Sequence, residues 1–400
     1  QYLEEEYFHK RNDSASTADF FEAGLELKTT PLKSMRGGTL QAKERIVLGM
    51  IDFYAVIHEE FHTSHFLEKN SDILLVFYIH NSLQQYHDLE INLVDIWECV
   101  KEDGRQIKQD WELIVNKIKM GKAHEISEGD TLYLGACTKG ATREKSQRAQ
   151  PNSQNLAHAR AFCFKIQYAN HIYKTLLERK EYRESKYKHI LSQEQATLEE
   201  IIAEKFEPFL GMSVLAICQL LRIPFNPRAK NFYATITKRI LGADADQSIY
   251  EFDAAGIQIK TIRLEPNGKC REAMSFKQIR FTEIIDEEWE DSDLYFTLTS
   301  KFVLIIFSHS HEDDPYILDR VKLWNMPEKD LETVKNVWLD TQEKIISGDY
   351  EHFTKSSDRM ISHVRPKGRD SEDLMITPQG TKEKKKCFWL NRDYVMSIIE

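Results

Sequence analysis

The sequence contains no apolar run long enough to cross a bilayer. The longest, Ile73 to Ile79, has the length of a buried strand. No basic-then-apolar signal pattern opens the chain, so nothing argues for export, and a bacterial cytoplasmic setting with no membrane partner is the expectation. Gln1 is not a natural start, so an N-terminal segment is expected to be missing. The six cysteines form no C-x-x-C pair, which argues against a structural zinc site and favours reduced thiols. Basic charge is also short overall, since the net charge is −10. That average does not exclude nucleic acid, because binding depends on local fields. Lys139, Arg143, Lys145, Arg148 and Arg160 fall in one acid-poor segment, and Lys382 to Lys386 form a second basic run.

Short-period repeats are absent, but a long one is present. Gly24-Leu25-Glu26-Leu27-Lys28-Thr29 is echoed by Gly256-Ile257-Gln258-Ile259-Lys260-Thr261 at an offset of 232 residues. Trp111 with Gly121 is echoed by Trp338 with Gly348 at 227, and Phe162 with Tyr168 by Phe388 with Tyr394 at 226. Ordered matches at a slowly drifting offset point to a mixed α/β domain duplicated in tandem. Each copy reads as an alternating stretch, an apolar strand, a helix (Trp111 to Met120, Leu331 to Ile346) and a basic closing loop. The expected boundaries are 1–175 for the first domain, 176–196 for a charged helical linker and 197–400 for the second domain. Thr197 to Leu241 reads as helical, broken at Pro224 and Pro227.

The first copy carries Asp19, Glu26 and Lys28 in the spacing D-x6-E-x-K. Alternation in Leu25-Glu26-Leu27-Lys28 reads as a strand with Glu26 and Lys28 on one face. Two carboxylates and a lysine are the set that metal-dependent phosphodiester hydrolysis needs. Mg²⁺ takes hard oxygen ligands, here Asp19, Glu26 and the Leu27 carbonyl, and acidifies a bound water that the lysine can hold in line. The spacing alone is weak evidence. E-x-K recurs at Glu178 and Lys180, Glu184 and Lys186, and Glu383 and Lys385, where a surface ion pair is the plainer reading.

The residues around the triplet carry a resemblance. Asp19-Phe20-Phe21-Glu22-Ala23-Gly24-Leu25-Glu26-Leu27-Lys28-Thr29-Thr30-Pro31 resembles the signature of the MutH family of endonucleases. Thr63-Ser64-His65 and Lys69 resemble that family's E-T-S block and downstream lysine, with His62 where glutamate is usual. Gly121 to Gly129 and Cys137-Thr138-Lys139-Gly140 resemble the GATC-cutting, Sau-three-A type of restriction enzymes within the family. The resemblance implies tandem MutH-like domains and a Mg²⁺-dependent type II restriction endonuclease acting on double-stranded DNA, with 5′-phosphate and 3′-hydroxyl products. A repair nickase and a non-catalytic methylation reader are the alternatives. The resemblance makes Asp19 and Glu26 metal ligands and Lys28 the residue that positions water. Glu5 becomes a supporting acid and Lys69 a lysine near the scissile phosphate. Thr138 to Lys165 becomes the DNA-recognition region, with Lys139, Arg143, Lys145, Arg148, Arg160 and Lys165 as contacts. Cys163 stands where MutH carries a tyrosine tied to methylation sensing, which puts a hemimethylation requirement in doubt. In the second copy Gln258 replaces the metal-binding glutamate, Lys260 remains, and Glu251 stands where Asp19 does. That copy is expected to bind DNA without cutting and to act as a regulatory domain. A palindromic site calls for two cuts, so a monomer free in solution and a dimer or two-site complex on DNA are expected.

Overall fold

The computed structural model describes residues 3–9, 18–34, 38–81, 85–140, 146–178, 186–191 and 196–400, apart from 230, 245, 310, 312, 313 and 371. The chain divides into two compact units, Gln1–Arg183 and Glu184–Glu400.

In unit 1 the strands are β1 (Leu25–Ser34), β2 (Leu40–Ala42), β3 (Ile46–Met50), β4 (Asp72–Ile79), β5 (Ile91–Glu98), β6 (Leu134–Thr138), β7 (Gln147–Arg148), β8 (Ala157–His158) and β9 (Arg160–Phe164). Its helices are α1 (Phe53–Val56), α2 (His65–Asn70), α3 (Cys99–Lys119) and α4 (Ile166–Leu177). One sheet runs β2-β1-β4-β5, with β1 parallel to β4 and β4 antiparallel to β5. A second runs β3-β9-β6. The Ile73 to Ile79 run lies in β4, whose Ile73, Leu75, Val76 and Phe77 are buried. An inner strand covered on both faces takes such a run rather than strict alternation.

Unit 2 repeats this plan with β10 (Tyr187–Lys188), β11 (Ser248–Ile249), β12 (Gln258–Arg263), β13 (Met274–Gln278), β14 (Phe302–Ser308), β15 (Ile317–Trp324), β16 (Ser362–Pro366), β17 (Leu374–Ile376), β18 (Lys382–Lys384) and β19 (Lys386–Leu390). Its helices are α5 (Leu198–Phe206), α6 (Val214–Leu220), α7 (Phe232–Ile240), α8 (Tyr250–Ala255), α9 (Phe281–Ile284), α10 (Asp293–Leu298), α11 (Glu328–Ser347) and α12 (Arg392–Ile399). The sheet β12-β14-β15 has the directions of β1-β4-β5, and β13-β19-β16 has the order of β3-β9-β6. The fold is therefore a mixed α/β one with two tandem copies. Gly24 and Gly256, before β1 and β12, have φ of +65° and +66°, a left-handed turn that glycine adopts without a Cβ penalty.

Two features differ from the sequence reading. Helix α3 begins at Cys99, well before Trp111, and is kinked at Asp103, which is non-helical at φ −131°; the charged residues of this first stretch hide its helical periodicity in the sequence. The expected linker 176–196 is not one helix. Leu177 ends α4, residues 179–185 lie outside the described set, and Tyr187–Lys188 pair in parallel with Ser248–Ile249 of unit 2.

Candidate active site and its family

Strand β1 sets the site. Glu26 and Lys28 lie on one face of it, and Lys28 Nζ donates to Glu26 Oε1 at 2.6 Å. The left-handed turn at Gly24 folds the preceding segment back onto the strand, where Phe20 pairs with Leu25. Asp19 thereby interlocks with β1. Its backbone N–H donates to Glu26 Oε2 at 3.1 Å, and its Oδ2 accepts from the Leu27 N–H at 3.0 Å.

A second lysine arrives from α2. Ser64 caps that helix, accepting from the Leu67 N–H at 3.2 Å and donating its hydroxyl to the Phe61 carbonyl at 2.7 Å. The cap fixes where the helix points, and Lys69 Nζ ends 3.5 Å from Glu26 Oε1. Glu26 is only 1% exposed, so its charge is balanced by two ammonium groups and one backbone N–H. A buried carboxylate persists only with such partners.

The structure thus brings Asp19, Glu26, Lys28 and Lys69 together. Glu5 is exposed on the short helical segment Leu3–Tyr7, and Phe8 just after it packs edge-on against Phe20 at 4.9 Å. Among the described residues no group of three or more histidine, cysteine or acidic side chains is poised around a metal. Asp19 and Glu26 are two hard-oxygen donors, which suits a cation that keeps several waters, as Mg²⁺ does.

The basic residues separate into two kinds. Arg148 is exposed on the β7–β8 hairpin, and Lys139 is half-buried just after β6. Arg143 and Lys145 lie outside the described residues. Arg160 does not fit the DNA-contact reading. It is buried, donating to the carbonyls of Ala136 and Ile126 at 2.7 Å each. Lys165 likewise donates to the Thr131 carbonyl at 2.5 Å and to that of Glu128. Both cations are therefore bonded to backbone carbonyls of β6 and of the segment leading into it. Cys163 is buried too. Spacing missed Asp110, whose buried carboxylate accepts from the N–H groups of Leu132, Tyr133 and Leu134 at 3.0, 2.6 and 2.9 Å and so positions the entry to β6. A lone acid in a helix gives no sign of such a role.

In unit 2 the same positions are arranged differently. Gln258 Nε2 turns back to the Gly256 carbonyl at 2.9 Å. Glu251 is buried, and its carboxylate accepts from the N–H groups of Ile190 and Leu191, with closest distances of 3.0 and 2.9 Å. Glu251 therefore matches Asp19 in spacing but not in its hydrogen-bond partners. Ser292 caps α10 as Ser64 caps α2, but Thr297 stands where Lys69 would be. Lys260 Nζ reaches the Ser275 carbonyl at 3.2 Å instead of a carboxylate. Burial and the nearby Lys367 push its pKa down to about 8.

The family model described as DNA mismatch repair enzyme MutH matches this chain twice, over residues 8–110 and 241–336, one match in each unit. The type II restriction enzyme Sau3AI of Staphylococcus aureus is 34% identical over 97% of this chain and 85% of its own length. The chain belongs to the MutH family. Its class within that family is the type II restriction endonuclease, and the likeness spans both units. MutH mismatch repair proteins match shorter stretches. That of Shewanella amazonensis is 26% identical over 38% of this chain and 68% of its own length. That of Pasteurella multocida is 24% identical over 44% and 81%. Among the described residues no helix is long and apolar enough to cross a membrane.

Proposed function

We propose that unit 1 hydrolyses phosphodiester bonds of double-stranded DNA at GATC with Mg²⁺, and that unit 2 binds DNA without cutting and regulates unit 1. The observation carrying this reading is the contrast between the copies. Glu26 sits among Asp19, Lys28 and Lys69, whereas Gln258, Glu251 and Lys260 are each turned to other partners.

In this reading Asp19, Glu26 and the Leu27 carbonyl hold the metal, which when bound offsets charge on the phosphate and acidifies a water. Lys28 orients that water for in-line attack, and Lys69 faces the scissile phosphate, its positive charge stabilising the developing oxyanion. Glu5 supports the acidic side of the site. Lys139, Arg143, Lys145 and Arg148 contact phosphates or base edges. GATC is what the Sau-three-A resemblance implies. A protein working from a bacterial cytoplasm as a free monomer would pair, or bridge two sites, on DNA to cut both strands.

The MutH mismatch repair proteins among the relatives favour a second reading, a nicking endonuclease. Incubation with Mg²⁺ and plasmids holding no, one or several GATC sites separates the two. Linear fragments ending at GATC, formed faster on multi-site plasmids, are expected. Nicked circles alone would move the assignment to the nickase, and a gel shift without cutting would leave a non-catalytic reader.

A further inference from the structure

Beside β12, the outer strand of its sheet, lies a cavity of about 490 Å³. Arg228, Tyr233, Lys260, Arg263, Arg271 and Ser275 are among the residues lining it. Glu272 is the carboxylate of the lining, and it pairs with Arg263 at 2.6 Å, while Arg271 lies 3.5 Å from Glu265. Cations therefore outnumber acids in the wall. Lys260 has no ion-pair partner among the described residues; its ammonium meets the Ser275 carbonyl and lies 5.2 Å from the Phe276 ring centre. Lys367 converges on the same part of β13, donating to Ser275 Oγ at 2.9 Å and to the Phe276 carbonyl at 2.8 Å.

The comparison within the chain sharpens the point. Lys28 occupies the corresponding place in unit 1 and is neutralised by Glu26 at 2.6 Å. In unit 2 the lysine has been kept while the acid beside it has become Gln258 and Glu251 is engaged by backbone N–H groups. A half-buried ammonium with no counter-ion is costly, and the low pKa of Lys260 reflects that cost. A bound anion would remove it. Clustered guanidinium and ammonium donors match phosphate oxygens and repel a divalent cation. The volume lies within the range of about 300–1,000 Å³ typical of small-ligand sites, which leaves room for a phosphate with its sugar.

We propose that this cavity is a metal-free phosphate site, in which Lys260, Arg263 and Arg271 hold a backbone phosphodiester of the DNA that unit 2 engages. The inference rests on the reading of unit 2 as a DNA-binding copy, and it names where that copy grips. Duplication would then have turned a hydrolytic site into a grip by removing the acids and keeping the cations.

The test uses the full chain carrying Glu26→Gln, in EDTA, with a fluorescent duplex containing one GATC. Anisotropy is expected to show two duplexes per chain. Adding Lys260→Gln and Arg271→Gln weakens the second binding step by roughly ten-fold or more, the effect of losing charge-assisted hydrogen bonds. Lys260→Arg with Arg271 intact keeps it, and thermal melts confirm that each variant folds. A second step of unchanged affinity in the Gln variant would overturn the cavity as the grip and leave the DNA-binding reading standing. No second step in the parent would overturn that reading. In that case a saturable shift of tryptophan fluorescence with inorganic phosphate, lost in the Gln variant, would support a site for small phosphates, and its absence would overturn the proposal altogether.

Discussion

Lys69 and Glu26 meet at 3.5 Å although one sits on α2 and the other on β1. Together with Lys28 this gives one buried carboxylate two ammonium partners. Under the proposed function, such a surplus leaves Lys28 and Lys69 to water and phosphate once a cation sits beside the carboxylate.

Glu26→Gln reproduces in unit 1 what unit 2 already carries. Cleavage is expected to fall by at least about a thousand-fold, the scale of losing a group on which transition-state charge stabilisation depends, while duplex binding persists. Plasmid cleavage and anisotropy on the same preparation check both halves. Cleavage at the parent's rate would remove Glu26 from the site.

Arg148 and Arg160 look alike in the sequence, yet they should fail differently. Arg148→Ala changes an exposed hairpin residue, so DNA affinity and its salt dependence should drop while the melting temperature stays put. Arg160→Ala leaves the Ala136 and Ile126 carbonyls without their donor in a buried place. A loss of about 2–6 kcal/mol is expected, at roughly 1–3 kcal/mol for each of the two orphaned carbonyls. A denaturant titration showing Arg160→Ala as stable as the parent would return Arg160 to the DNA surface.

What was legible in the sequence was whatever is local or repeated. The strand with Glu26 and Lys28 on one face, the repeated Gly24 and Gly256 blocks and the Trp111/Gly121 and Trp338/Gly348 pairs all belong to single elements or to the duplication. Long-range roles were not legible. A charge pattern cannot show that Arg160 fills two carbonyls, because those acceptors come from other segments. Glu251 matched Asp19 in spacing, but the Ile190 and Leu191 N–H groups that claim it precede the repeat. The cavity beside β12 joins Arg228, Lys260 and Arg271, which no single motif contains.

Gly121 ends α3 at φ +72°, and a Cβ there would lie 2.5 Å from the Asn152 carbonyl oxygen. Asn152 in turn donates its side-chain amide to the Lys119 carbonyl at 2.9 Å, capping the helix. In unit 2 Gln379 caps α11 through the Ile345 and Ile346 carbonyls, and a Cβ on Gly348 would find its nearest neighbour at 3.7 Å. Both Gly→Ala changes pay for a left-handed backbone, about 1–2 kcal/mol, but only Gly121→Ala also collides with backbone. Hydrogen exchange, which reports each unit separately, should show the larger loss of protection for Gly121→Ala in unit 1. Equal losses would mean that the Asn152 turn shifts freely.

Lys260 gives a pH signature with a definite sign. Its folded-state pKa is pushed down to about 8, from 10.5, by burial and by Lys367. Below pH 8 the ammonium is charged in both folded and unfolded chains, and the folded state bears its desolvation. Between about 8 and 10.5 the unfolded state holds more protons, so the stability of unit 2 contributed by this position rises with pH. Against Lys260→Met, which has no such titration, the parent should therefore gain in relative stability from pH 7.5 to pH 10 (both values approximate settings across that window). Urea unfolding of the two proteins across that range measures the difference. A flat difference would mean that Lys260 keeps its proton in the folded chain, with a counter-ion or water reaching it through the cavity.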